Sequence, residues 1–175
     1  LECASAAVPW HQCRAAFLYN EGFKKLIMPL KYGDQQKSLV FLSYFMHRCA
    51  KDLIVQTDII IPVPLHKKRL RHRQYNQSAL LAWQIGKISK TSVLPMGLLR
   101  VKETMVLGHY NKQERQYLLK NAFIAYPKYL NKIKNKRILL IDDVMTTGST
   151  LAECTSVLLE AGVAQVDLLV AAKVV

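Results

Sequence analysis

Arg137-Ile138-Leu139-Leu140-Ile141-Asp142-Asp143-Val144-Met145-Thr146-Thr147-Gly148-Ser149-Thr150 is the stretch on which the reading of this chain turns. Ile138 to Ile141 form a short apolar run without alternation, the pattern of a strand covered on both faces. The strand delivers two adjacent carboxylates at its carboxyl end. Neighbouring strand side chains point to opposite sides, so Asp142 and Asp143 are not expected to act as one paired acid and base. The Thr-Thr-Gly-Ser-Thr turn then opens a helix on which Leu151, Cys154, Leu158 and Ala161 share a face, closed by Gly162. Such a turn offers backbone N–H groups and hydroxyls to a single phosphate, with the positive end of the helix behind them. Carboxylates accept hydrogen bonds from paired sugar hydroxyls, so the two features together describe a ribose-5-phosphate site. No Gly-Lys-Ser/Thr follows, which excludes a P-loop.

Outward from this stretch, strands and helices alternate. Val166 to Ala172 reads as a final strand. Upstream, Asp58-Ile59-Ile60-Ile61-Pro62-Val63-Pro64 is a second doubly covered strand, followed by a basic loop and a helix over Gln77 to Ser89. Val93 to Leu99 is expected to form another strand. Residues 100–136 are polar, basic and weakly patterned, with Asn111, Asn121, Pro127 and Asn131 as breakers. The first 55 residues read as mainly helical. Phe23, Leu26, Ile27 and Leu30 have helical spacing until Pro29 ends it, and Gln36 to Leu53 carries Leu39, Leu42, Tyr44, Phe45 and Met46 as a packing surface. Alternating strands and helices imply an α/β fold with a mainly parallel sheet, whose ligands gather at the carboxyl ends of strands.

Composition and charge narrow the function. Of the 175 residues, 51% are hydrophobic and 21% charged, which excludes a disordered or collagen-like chain. No apolar run approaches the roughly 18 residues of a membrane helix. The four cysteines, Cys3, Cys13, Cys49 and Cys154, are too sparse for a disulfide scaffold and make no Cys-x-x-Cys pair. They point to a reducing, cytoplasmic setting, and no zinc or other residue-held metal is expected in this fragment. The net charge is +13, and residues 59–137 hold 17 Lys and Arg against only Glu103 and Glu114. A polyanionic partner follows: a phosphorylated metabolite or nucleic acid.

The string from Ile138 to Thr150 resembles the PRPP-binding signature of type I phosphoribosyltransferases. A wider pattern resembles the ComF family: Lys31-Tyr32-Gly33, Ile61-Pro62-Val63-Pro64-Leu65-His66, Arg73-Gln74-Tyr75-Asn76-Gln77, and Arg100, Thr104, Glu114-Arg115 and Asn121-Ala122-Phe123. Gln74 and Tyr75 stand where that pattern has Gly and Phe, and Thr104-Met105-Val106-Leu107 where it has Thr-Pro-Pro-Gln.

The resemblance implies a type I phosphoribosyltransferase-like fold, with a small helical hood over 1–55, the remnant of a truncated N-terminal module. It implies a PRPP-binding domain over 56–175. It implies a Mg²⁺-dependent transferase that releases pyrophosphate to an unnamed acceptor and is linked to competence and DNA uptake. By the same resemblance Asp142 and Asp143 hold the ribose hydroxyls and Thr146, Thr147, Gly148, Ser149 and Thr150 the 5-phosphate. Lys67, Lys68 and Arg73 meet the pyrophosphate, from a run with five cations in seven residues. His66, His72 and His109 are general-base candidates by residue type only. The alternative is a non-catalytic module of the same fold that binds single-stranded DNA or senses PRPP, with Tyr75, Tyr110 and Tyr117 as stacking candidates. Partners are then PRPP, pyrophosphate, single-stranded DNA or the competence machinery, without membrane insertion, and self-association is compatible with either reading.

Overall fold

The computed structural model describes residues 8–28, 35–103 and 112–175. In chain order the elements are β1 (Cys13–Leu18), α1 (Glu21–Ile27), α2 (Gln35–Cys49), α3 (Lys51–Val55), β2 (Ile59–Pro62), α4 (Lys67–Arg73), α5 (Gln77–Ser89) and β3 (Ser92–Val93). They continue with β4 (Leu98–Arg100), α6 (Lys112–Leu119), β5 (Phe123–Ala125), α7 (Leu130–Ile133), β6 (Arg137–Met145), α8 (Ser149–Glu160) and β7 (Gln165–Lys173). Five strands form one sheet in the order β1-β7-β6-β2-β3. Every pairing in it is parallel, with Ile60 opposite Leu139 and Leu140 opposite Leu168. This is the type I phosphoribosyltransferase fold that the resemblance implies.

The unbroken apolar runs of β2 and β6 supply both faces of the sheet, because side chains alternate along a strand. Leu139 and Ile141 pack with Leu42 and Met46 of α2 and Leu81 and Ile85 of α5. Ile138 and Leu140 pack on the other face with Leu151, Cys154 and Leu158 of α8, and with Leu98 and Phe123 of the antiparallel β4–β5 pair.

Five expectations are corrected. Cys13–Leu18 is a strand, so the segment before residue 56 gives the sheet its edge as well as helices. It lacks β-branched residues, and its strand form comes from pairing with β7 rather than from propensity. The expected strand over 93–99 is divided. Val93 stays in the sheet, while Leu98 to Arg100 pairs antiparallel with Phe123 to Ala125. Between them Gly97 passes so close to β2 that a Cβ there would lie 2.6 Å from Ile61 Cδ1. The basic loop after β2 is a helix, α4, begun by His66 and ended by Gln74 in the left-handed region at φ 64°. Residues 112–133, read as weakly patterned, contain α6, β5 and α7. On α2, Leu39, Leu42 and Met46 are buried as expected, but Tyr44 (49% exposed) and Phe45 (37%) face outward. Their rings pack edge-on, and Phe45 also packs against Phe41 of the same helix and Phe17 of β1.

Candidate functional site

The two carboxylates emerge where β6 passes its pairing with β2, at the carboxyl edge of the sheet. Each turns back onto the chain. Asp142 Oδ1 accepts the Asp143 N–H at 2.9 Å, and Asp143 Oδ1 accepts the Val144 N–H at 2.7 Å. Each carboxylate is thus tied to the backbone N–H of the next residue, and the Asp143 charge acts on Asp142. Burial first, and the Asp143 charge second, hold the Asp142 carboxyl well above the usual carboxylate range. The hydrogen bond from Ser78 partly opposes this.

The turn that follows closes a recess lined by Asp142, Val144, Met145, Thr146, Thr147, Gly148, Ser149, Thr150, Leu151 and, from α6, Leu119. Gly148 caps α8 at φ 76°, a conformation that favours glycine. A Cβ there would lie 2.9 Å from Met145 Cε and 3.3 Å from Trp10 Cη2. A glycine cap puts no side chain over the first N–H groups of the twelve-residue α8. Thr147 and Ser149 share a hydroxyl–hydroxyl hydrogen bond of 2.9 Å. The recess therefore combines carboxylate oxygen, hydroxyls and a helix N-terminus, the chemistry of a sugar phosphate.

Two residues that carried no assigned role in the sequence belong to this neighbourhood. Ser78, buried in the first turn of α5, donates from Oγ to Asp142 Oδ1 at 2.9 Å. Only the helix cap at Asn76 was visible beforehand, and nothing in the spacing linked it to Asp142. Arg100 is buried on β4, with its guanidinium carbon 5.4 Å from the Phe123 ring centre. Burial and then the Arg69 charge lower its pKa, while Cys154 and Asp142 raise it. Arg100 is part of the family pattern in the sequence, but its burial was not legible there.

Two of the three expected pyrophosphate cations lie outside the lining of the recess. Lys67 and Lys68 are exposed on α4 and do not line it. Lys68 Nζ forms an ion pair with Glu103, whose carboxyl it holds below the usual range. The backbone of Arg73 ends α4, and its side chain, with that of His72, lies outside the described residues. His66 caps α4. Cys3, Thr104 to Leu107, His109 and Tyr110 also lie outside the described residues. Among the described residues no group of three or more His, Cys, Asp or Glu side chains is placed to hold a metal ion. No described helix is long and apolar enough to cross a membrane.

Comparison with known proteins fits this geometry. A phosphoribosyl transferase domain model matches residues 90–174. Competence protein F of Haemophilus influenzae is 33% identical over 171 residues, which cover 94% of this chain and 74% of that protein. DNA utilization protein YhgH of Escherichia coli is 28% identical, with 94% and 73% covered. Competence protein ComFC of Bacillus subtilis is 28% identical over 152 residues, with 86% and 59% covered. Among solved structures, an allosteric regulatory enzyme of purine biosynthesis superposes with a TM-score of 0.54 at 16% identity. The match covers 83% of this chain but only 30% of that one, and it speaks for the fold alone.

Proposed function

Since this chain belongs to the ComF family of phosphoribosyltransferase-fold competence proteins, we propose that it binds PRPP with Mg²⁺ and transfers the phosphoribosyl group, releasing pyrophosphate. The observation that carries this reading is the single recess in which Asp142 meets Thr146, Thr147, Gly148, Ser149 and Thr150 at the start of α8. Asp142 and Asp143 accept hydrogen bonds from the ribose hydroxyls. The turn and the α8 N-terminus take the 5-phosphate. Pyrophosphate leaves toward α4, where Lys67, Lys68 and Arg73 neutralise its charge, Lys68 exchanging Glu103 for the leaving group. Charge support of the leaving group supplies most of the rate, as in other phosphate chemistry. Mg²⁺ bound with PRPP would offset the charge of the pyrophosphate, with Asp142 and Asp143 as the nearby carboxylates. The acceptor is a nucleophile that attacks C1, and the setting is the cytoplasm.

Isothermal titration tests the reading. PRPP is expected to bind only with Mg²⁺, and Asp142→Asn with Asp143→Asn to abolish binding while leaving the fold intact. Pyrophosphate release is then screened against nucleobases and amines. Unchanged PRPP affinity in the double variant would overturn the ribose assignment. A second reading, a module that holds single-stranded DNA without turnover, is favoured by the exposure of Lys67, Lys68 and Arg71 along α4. It predicts oligonucleotide binding that weakens steeply with salt and does not depend on the Asp pair.

A further inference from the structure

The α5 helix starts beside the carboxylates rather than beside the phosphate turn. Asn76 sets that start. Its Nδ2 donates to the Val63 carbonyl at 2.9 Å, just past the end of β2, and its Oδ1 accepts the Ser78 N–H at 3.1 Å. The clip fixes the first turn of α5 against the sheet and orients Ser78. Ser78 is 4% exposed, and its hydroxyl meets one oxygen of Asp142 at 2.9 Å. That oxygen also takes the Asp143 N–H. Two donors on one oxygen set the rotation of the whole carboxylate, and one of them, Ser78, comes from a separate element, whereas Asp143 Oδ1 takes the N–H of its own neighbour Val144.

We propose that Ser78 is a positioning residue for the ribose end of the site, holding Asp142 in the orientation that receives the sugar hydroxyls. The Asn76 clip ties that orientation to the end of β2. The inference rests on the PRPP reading above and deepens it. Ribose recognition then depends on a helix that contributes nothing to the lining of the phosphate turn. The two carboxylates are not equivalent: Asp142 is aimed by tertiary contact, Asp143 by its local backbone.

A three-ligand titration separates positioning from general damage. PRPP, ribose-5-phosphate and inorganic pyrophosphate are titrated with Mg²⁺ into the native chain, Ser78→Ala and Ser78→Thr. Removing the hydrogen bond that aims the Asp142 carboxyl is expected to weaken PRPP and ribose-5-phosphate roughly tenfold. Pyrophosphate affinity should stay within about twofold of native. Ser78→Thr, which keeps the hydroxyl, should recover at least half of the loss on a logarithmic scale. Alanine is well tolerated in a helix, and an unchanged melting curve would establish that the fold is intact. Native-like ribose-5-phosphate binding by Ser78→Ala would overturn the proposal while sparing the PRPP reading. So would equal losses for all three ligands. If the native chain binds neither PRPP nor ribose-5-phosphate, the PRPP reading itself fails and takes this inference with it.

Discussion

Gln74 occupies a left-handed backbone position, φ 64°, at the end of α4, where the ComF pattern carries glycine. A side chain there costs about 1–2 kcal/mol in the folded state, offset in part by the greater freedom of unfolded glycine. Gln74→Gly is therefore expected to stabilise the protein by about 0.5–1 kcal/mol, read as a higher denaturant midpoint at unchanged slope. A second residue trades stability for its place in the site. The Asp142 carboxyl has a raised pKa in the folded state, through burial and Asp143. The folded protein thus holds a proton that the unfolded chain releases above about pH 4. Stability from this group is complete below that pH and falls as the pH climbs through the raised value. Asp142→Asn should match the native protein near pH 3 and exceed it by about 1–2 kcal/mol at pH 8. An advantage that shrinks as the pH rises would contradict the burial argument. Of these residues Asp142 was legible from its place after an apolar run. Ser78 and Arg100 were not, because their roles depend on partners far away in sequence.

Among the elements, α5 was read from its Asn76 cap and the helical spacing of Leu81 and Ile85, and it folds over the expected Gln77–Ser89. The β6 strand was legible for a related reason, a short apolar run bounded by charge. In contrast α4 has cations at five of its seven positions and no apolar period, so pattern alone gave a loop. The aromatic stripe of α2 shows the opposite failure: hydrophobicity predicted burial for Tyr44 and Phe45, which lie on the wrong side of the helix. The seating of α5 rests on Gly86. A Cβ there would lie 2.3 Å from Val93 Cγ2 and 3.0 Å from the Thr91 carbonyl oxygen. The Val93 side chain can yield, but the Thr91 backbone cannot do so cheaply. Gly86→Ala is expected to destabilise by about 1–3 kcal/mol through overpacking. Because Ser78 rides on the same helix, PRPP affinity should fall as well. A variant that melts like the native chain would show that α5 has slack against β3.

At the scale of the molecule, the α/β class and the site at the carboxyl edge followed from alternation of elements and from one motif. The order of strands did not, since it depends on which distant segments meet. β7 lies between β1 and β6, and its middle residues, Leu168 to Ala172, are buried. A chain ending at Ala164 would leave β1 with no partner in the described sheet. It is expected to lose the cooperative thermal transition seen by circular dichroism. A sharp melt in that variant would mean that α2, α5 and α8 form a core without the edge. The same arrangement sets a timetable during synthesis on the ribosome. At about 5–20 residues per second, β1 emerges roughly 10–30 s before the strand it pairs with. Throughout that interval Phe17 and the α2 aromatics belong to a nascent chain with no sheet to lie on, and a chaperone has time to find them.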